Sequence, residues 1–416
     1  MLYPTGIILG IFTCLSLSFG CNDAEDRSDA HMHYRATIGL VEDSRDIRVD
    51  LSWHIEQESQ DSILFSLGSE IEVHSDHLET VGRNDRDTHY RAAYNDPIQL
   101  TYTIPEEAII SLPDMGYLEV SHQHHWLPDI TGERYRRPFT YALEYAGPAS
   151  YAAYAFGARS TTAETCTLTS RNPTTVASLF FTAGTVDTVT SPAGQLRAIN
   201  LVDSLRSHAI DSVLTLGDDV LSFYTTLFAD SLPRVPTLFV CPTGRASPAS
   251  RYSYATEEMA FRLAYADDIT ALEYPVSHEM AHFWWHFGSG GNDGPNGFIN
   301  ESFAQYNSLL YYRNIRGERA FRNLIGEMLA SLNGKPLSMY GDEYYATPDA
   351  TTTTLYGIGS LILLSLHDRL GDEAFYTFLR AVLTERPQTL PELASWIAEH
   401  YPRDERYTAF LRQISP

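Results

Sequence analysis

Basic residues are scarce in this chain. Only 29 Lys and Arg stand against 53 Asp and Glu, a formal net charge of −24 with a pI near 4.9. That balance excludes a nucleic-acid partner, because phosphates demand a basic surface. Its plain meaning is solubility. Cysteine is nearly as scarce, with 4 in 416 residues. Cys14 and Cys21 belong to the extreme N-terminus. Cys166 and Cys241 have no His or Cys at metal-ligand spacing, which excludes a zinc site closed by cysteines. In an oxidising compartment these two could form one disulfide or stay as separately buried thiols, and the sequence leaves both open. Internal repeats and long low-complexity tracts are absent. The N-terminal apolar run, Ile7 to Phe19, is too short to span a membrane comfortably. What is present is an ordinary apolar content of 44% and a length that suits two domains, or three.

The first 21 residues read as a targeting segment. Their apolar run ends at Ser18-Phe19-Gly20-Cys21, with the small residues of a cleavage site, although no Lys or Arg precedes it. Cys21 directly after Gly20 resembles a bacterial lipoprotein signal, with Ser18 where leucine is usual. The expectation is an exported protein, in the periplasm or on the outer membrane, attached through a lipid on Cys21. Plain secretion is the alternative, and an uncleaved membrane anchor is third. Residues 22–35 are polar and acidic and read as a tether.

The fold class expected is α+β and multidomain. Over residues 36–184 the pattern is β. Ile47, Val49, Leu51 and Trp53 alternate with polar residues, as do Ile98, Leu100, Tyr102 and Ile104, and again Phe139, Tyr141, Leu143 and Tyr145. Short strands at this spacing predict an all-β sandwich or a saddle-shaped sheet. Residues 185–416 read as a mainly helical, thermolysin-like catalytic domain. A helix is expected from Ser191 to about Leu232, with Val213, Leu216, Val220, Phe223 and Leu227 on one face and Pro233 ending it. A strand at Thr237 to Cys241 follows. Two further helices are expected at Thr354 to Leu370 and Glu373 to Leu383, the second capped by Asp372.

The chemistry-bearing stretch is His278-Glu279-Met280-Ala281-His282-Phe283-Trp284-Trp285. Two histidines four apart on a helix project from one face and can close on a single zinc ion. Glu279 lies among bulky aromatics, where a carboxylate needs a partner, and it is placed to act as general base on an activated water. Catalytic zinc takes three protein ligands and keeps one position open. Eighteen residues separate His282 from Glu301, which lies on a second amphipathic stretch marked by Ile299, Phe303, Tyr306 and Leu310. A helix, a reversing loop and a second helix would return Glu301 to the histidines. His286, one turn along, is the rival third ligand, but Phe287 and Gly288 suggest that the helix ends there. His122, His124 and His125 form another cluster, read as loop or surface histidines because no carboxylate or cysteine joins them at ligand spacing.

The motif H-E-x-x-H, eighteen residues, then N-E-x-F-A resembles the gluzincin zinc metallopeptidases of the aminopeptidase N family. Trp284 fits that family, and the run from His125 to Gly147-Pro148 is similar to its N-terminal β-domain. Leu355-Tyr356-Gly357-Ile358-Gly359 resembles the segment where the family keeps a catalytic tyrosine. The resemblance implies one zinc per chain on His278, His282 and Glu301, peptides as substrates, Glu279 as base, and Tyr356 as hydrogen-bond donor to the oxyanion. Three departures stand out. The family's G-x-M-E-N motif, whose glutamate binds a substrate amine, is replaced by Thr243-Gly244-Arg245-Ala246-Ser247 and the residues after it, up to Arg251. Glu257 and Glu258 follow without the family's spacing. The glycine after the third ligand is Ser302, and the chain after Tyr356 has no room for the family's large C-terminal helical domain. The expectation is a zinc-dependent, aminopeptidase-like peptidase acting outside the cytoplasm. The alternatives are an endopeptidase, or a non-catalytic zinc lipoprotein that captures peptides.

Overall fold

A computed structural model describes residues 32–41, 43–56, 61–93, 97–121, 125–130, 139–162, 165–170, 177–201, 207–232, 234–242, 250–253, 258–263, 272–285, 294–341 and 344–415. The targeting segment with Cys21, His122, His124, Arg245, Glu257 and His286 lie outside them.

Strand structure begins at Met32, inside the stretch read as a tether. Among the described residues the strands form four sheets. The largest has seven strands in the order Ala158–Thr161, Cys166–Thr169, Phe139–Tyr145, Met32–Leu40, Ile47–Ile55, Ile98–Ile104, Glu72–Val73. The three alternating segments are therefore neighbours in one sheet, each separated from the next by at most the Met32–Leu40 strand. Their alternation does what period two requires: Ile47, Val49, Leu51 and Trp53 are all buried, with polar residues between them facing out. Trp53 anchors this core, stacked on Tyr34 and edge-on to Phe65. Buried tyrosine hydroxyls are satisfied by backbone carbonyls, Tyr34 by Pro128 at 2.6 Å and Tyr102 by Trp126 at 2.7 Å.

A five-stranded mixed sheet follows, in the order Asp187–Thr190, Arg197–Asn200, Thr237–Pro242, Glu258–Leu263, Ser250–Ser253. The helix expected from Ser191 thus begins later. Ser191 to Leu196 is a tight turn held by Asp218, whose carboxylate accepts from the Ser191 hydroxyl at 2.5 Å and the Ala193 amide at 2.7 Å. Arg197–Asn200 then pairs parallel with the Thr237 strand. Helix α1 runs Ser207–Phe228 and stops at Ala229, which takes a left-handed conformation, before Pro233 is reached. Val213, Leu216, Val220 and Leu227 are buried as the periodicity requires.

The rest is helical: α2 Glu273–Ala281, α3 Phe303–Ser331, α4 Pro348–Thr352, α5 Gly359–Leu370, α6 Asp372–Glu385, α7 Leu390–His400 and α8 Glu405–Ile414. Asp372 is not the cap of α6. Gly371 holds that place with φ 76°, and the Asp372 carboxylate goes to His367 at 2.8 Å and Arg313 at 3.3 Å. The helices share one core, from Leu196 to Ile414; the N-terminal sheets share another, from Met32 to Phe181. A small aromatic cluster joins strands of both halves, with Phe180 stacked on Phe239 at 5.4 Å. Cys166 and Cys241 are buried thiols that are not joined in a disulfide, so the separate-thiol alternative holds.

Candidate functional site

α2 presents Val276, Met280 and Ala281 to the helical core, and His278 and His282 lie one turn apart on it. Beyond Ala281 the helix tightens. The amides of His282, Phe283 and Trp284 donate three residues back, at 3.1, 3.1 and 3.0 Å. This turn sets the Trp285 carbonyl beside the His282 ring, where it accepts from Nδ1 at 3.0 Å. The bond fixes the tautomer: Nδ1 carries the hydrogen and Nε2 is left as a bare lone pair. Trp285 is itself clamped, fully buried and stacked on Phe303 at 4.4 Å.

Glu301 sits in a π-helical turn, Phe298–Ser302, that leads into α3. Its Oε2 is 3.4 Å from His278 Nε2 and 3.5 Å from His282 Nε2, and the two nitrogens are 3.2 Å apart. A four-coordinate zinc with ligands at about 2.0–2.1 Å has ligand–ligand edges of about 3.3 Å. The three atoms therefore form one face of such a tetrahedron. All three side chains are deeply buried, at 5–7% exposure, and Glu301 Oε2 has no hydrogen-bond partner among the described residues. Electron-rich atoms packed this way repel unless a cation or a proton lies between them.

The titration behaviour carries the same demand. Burial pushes the His282 imidazolium down, but Glu301 outweighs it and raises the ring to about 9. Burial pushes the Glu301 carboxyl up, yet His282 and His278 hold it well below the ordinary carboxylate range. The carboxylate that raises the imidazole would favour a cation in the same place. The residues present fit a zinc ion, by spacing and by donor chemistry.

Glu279 is half-buried, and its carboxylate lies within 4.8 Å of the histidine nitrogens. It is the rival third ligand. Spacing and burial favour Glu301, which holds tetrahedral-edge distance to both Nε2 atoms, and leave Glu279 beside the cluster. Tyr356 lies in a second π-helical turn, Thr353–Ile358. Its ring is 5.3 Å from that of His278, and its phenol is close enough to feel the charges of Glu301 and Glu279. Burial, then Glu301 and Glu279, raise this phenol well above its ordinary value, so it stays an O–H donor.

All five residues singled out from the sequence thus come together. Arg251 and Glu258 lie on paired strands of the mixed sheet. Two supporting residues escaped the sequence reading, and a third, Ser302, stands there only as a departure from the family's glycine. Ser302 donates to the Leu355 carbonyl at 2.7 Å, and Tyr274 and Gln305 meet through their side chains. The last two stand four residues before His278 and four after Glu301, so helical spacing was the signal that pointed to them.

No protein-family model matches the sequence, and no curated protein matches it by sequence. Solved structures do. Leukotriene A4 hydrolase from Saccharomyces cerevisiae superposes with a TM-score of 0.68 at 14% identity, over 92% of this chain and 66% of that one. This chain thus spans just under two thirds of the yeast enzyme. An M1 zinc metallopeptidase from Deinococcus radiodurans gives 0.62 at 17% identity, over 93% of this chain and 94% of that one. A mutant of that enzyme bound to a Tyr-Ser-Ala substrate gives 0.61 at 18%. The N-terminal β-rich half and the helical half carrying the His–His–Glu cluster therefore have the architecture of the M1 zinc metallopeptidases.

Proposed function

We propose that this chain is a zinc-dependent peptidase of aminopeptidase-like type. The observation that carries the reading is the triangle of His278, His282 and Glu301, closed to 3.2–3.5 Å with Glu279 and Tyr356 at its side. The shared fold with enzymes described as zinc metallopeptidases, one of them seen with a tripeptide substrate, supports it. The two hydrophobic cores support a division near residue 185 into a β-domain and a catalytic domain.

Zinc held by the three ligands would supply a Lewis acid that activates water and polarises a peptide carbonyl. Glu279 takes the proton of the attacking water and delivers it to the leaving amine. Tyr356, held neutral, donates its hydroxyl to the oxygen on which negative charge develops. His282 is kept in the ligating tautomer by the Trp285 carbonyl.

The test is a mixture of free and N-acetylated peptides incubated with zinc-loaded protein. Cleavage of free peptides one residue at a time supports the aminopeptidase, and internal cleavage of blocked peptides turns the reading to an endopeptidase. No cleavage of either refutes the peptidase and leaves a peptide-capturing zinc protein.

From the apolar run and Cys21 we also place the protein outside the cytoplasm, held to a membrane by lipid. Mass spectrometry of the mature N-terminus tests this: a diacylglyceryl group on Cys21 supports the anchor, and an unmodified chain starting elsewhere rejects it.

A further inference from the structure

Glu301 and Tyr356 each lie in a π-helical turn, Phe298–Ser302 and Thr353–Ile358. Such turns are rare and gather at functional sites. Here the two are bolted to each other. Ser302, the residue after Glu301, is fully buried, and its hydroxyl donates to the carbonyl of Leu355, the residue before Tyr356, at 2.7 Å. The bond spans 53 positions of sequence and lands beside both functional side chains. The close approach is possible because residue 359 is glycine. A Cβ there would lie 2.7 Å from the Ser302 Cβ and 3.2 Å from Phe298 Cδ2.

We propose that Ser302 is a positioning residue that seats the Tyr356 hydroxyl over the site, through the Leu355 carbonyl. The inference rests on the peptidase reading and deepens it. Without the serine hydroxyl the buried Leu355 carbonyl loses a donor, and the turn can relax by rotating Tyr356 away. Two of the three metal ligands, His278 on α2 and His282 at its C-terminal end, lie away from this bond; Glu301 shares its turn with Ser302, so zinc content is the control that separates loss of the metal from loss of Tyr356 placement.

The experiment is a double-mutant cycle of Ser302→Ala and Tyr356→Phe, with two readouts on zinc-loaded protein. One is kcat and KM on a cleaved peptide. The other, which needs no turnover, is calorimetric affinity for a phosphinic pseudopeptide, a tetrahedral mimic of the attacked carbonyl. Zinc content and thermal midpoint serve as controls. Ser302→Ala should lower kcat and phosphinate affinity about tenfold, with KM nearly unchanged and zinc still bound. In the Tyr356→Phe background the same change should cost nothing further, because both act through one hydroxyl. Independent, multiplying losses would overturn the proposal, as would a Ser302→Ala protein with wild-type kcat and affinity. A wild-type protein that binds the phosphinate but cleaves no peptide would refute the peptidase reading while the coupling is still read from affinity.

Discussion

At the scale of single residues, the site separates holding a cation from using it. His278, His282 and Glu301 are buried acceptors at mutual hydrogen-bond range with too few hydrogens among them, an arrangement only a cation or proton relieves. Glu301→Gln keeps the shape but removes the charge, and zinc affinity should fall about 100-fold or more, measured by competition with a chelating dye. Glu279→Gln should leave zinc bound at one per chain and lower kcat by about 10²–10⁴-fold. Loss of zinc in that variant would make Glu279 a ligand instead. Tyr356→Phe should cost about 10²–10³-fold in kcat with a smaller change in KM. These residues were legible before any fold was known because metal chemistry restricts both residue type and spacing: two imidazoles one helical turn apart leave few other uses. Ser302 was not legible. A serine after the third ligand says nothing until the Leu355 carbonyl appears above it, and that neighbour is set by packing between segments far apart in sequence.

At the scale of elements, the site is held by contacts between turns rather than by any one helix. Trp285 on Phe303 joins the end of α2 to the start of α3. Tyr274 with Gln305 forms a rung one turn further along the same seam, and Arg316 grips Glu273 with two bonds at 2.8 and 2.9 Å beyond that. Gly359→Ala would push a methyl into Ser302 and Phe298, and should destabilise the fold by about 1–3 kcal/mol, seen as a lower urea midpoint. The α5–α6 junction carries a pH-sensitive contact. His367 stacks on Phe375 at 4.3 Å, accepts from Tyr306 at 2.7 Å and donates to Asp372 at 2.8 Å. Burial holds this imidazole below its ordinary value, with Asp372 pulling against it. As pH falls below about 6.5 the unfolded chain therefore takes up the proton first, and stability is lost over that interval and regained above it. His367→Gln should flatten that part of the stability–pH curve, and an unchanged slope would contradict the assignment. Element identity was readable where period was strong, as in the three alternating strands and the apolar face of α1. It failed from Ser191 to Asn200, where an Asp218-held turn and a parallel pairing partner decided the conformation. Neither is visible in a local window.

At the scale of the whole molecule, two cores meet across aromatic rings. The β-rich half contributes Tyr117, Phe156 and Phe180, and the mixed sheet contributes Leu201 and Phe239. The metal centre lies wholly in the second core, formed by α2 and the turns before α3 and α5. Cation binding should thus stabilise the helical half directly. With zinc at about 1,000 times its Kd the gain should be about 4 kcal/mol, read as a rise in thermal midpoint that a chelator reverses. The division into a β half and a helical half was visible in sequence because period changes from two to 3.6 along the chain. The number of sheets and their order was not, because pairing partners such as Met32–Leu40 and Phe139–Tyr145 are set by long-range packing rather than by local pattern.

The central claim is that three side chains share one zinc ion and leave a position open for chemistry. Anomalous diffraction at the zinc edge from crystals of the zinc-loaded protein tests it most directly. The expected result is a single peak about 2.0–2.1 Å from His278 Nε2, His282 Nε2 and a Glu301 oxygen, with one further oxygen that belongs to no side chain. No peak between these residues, or a zinc ligated without Glu301, would contradict it.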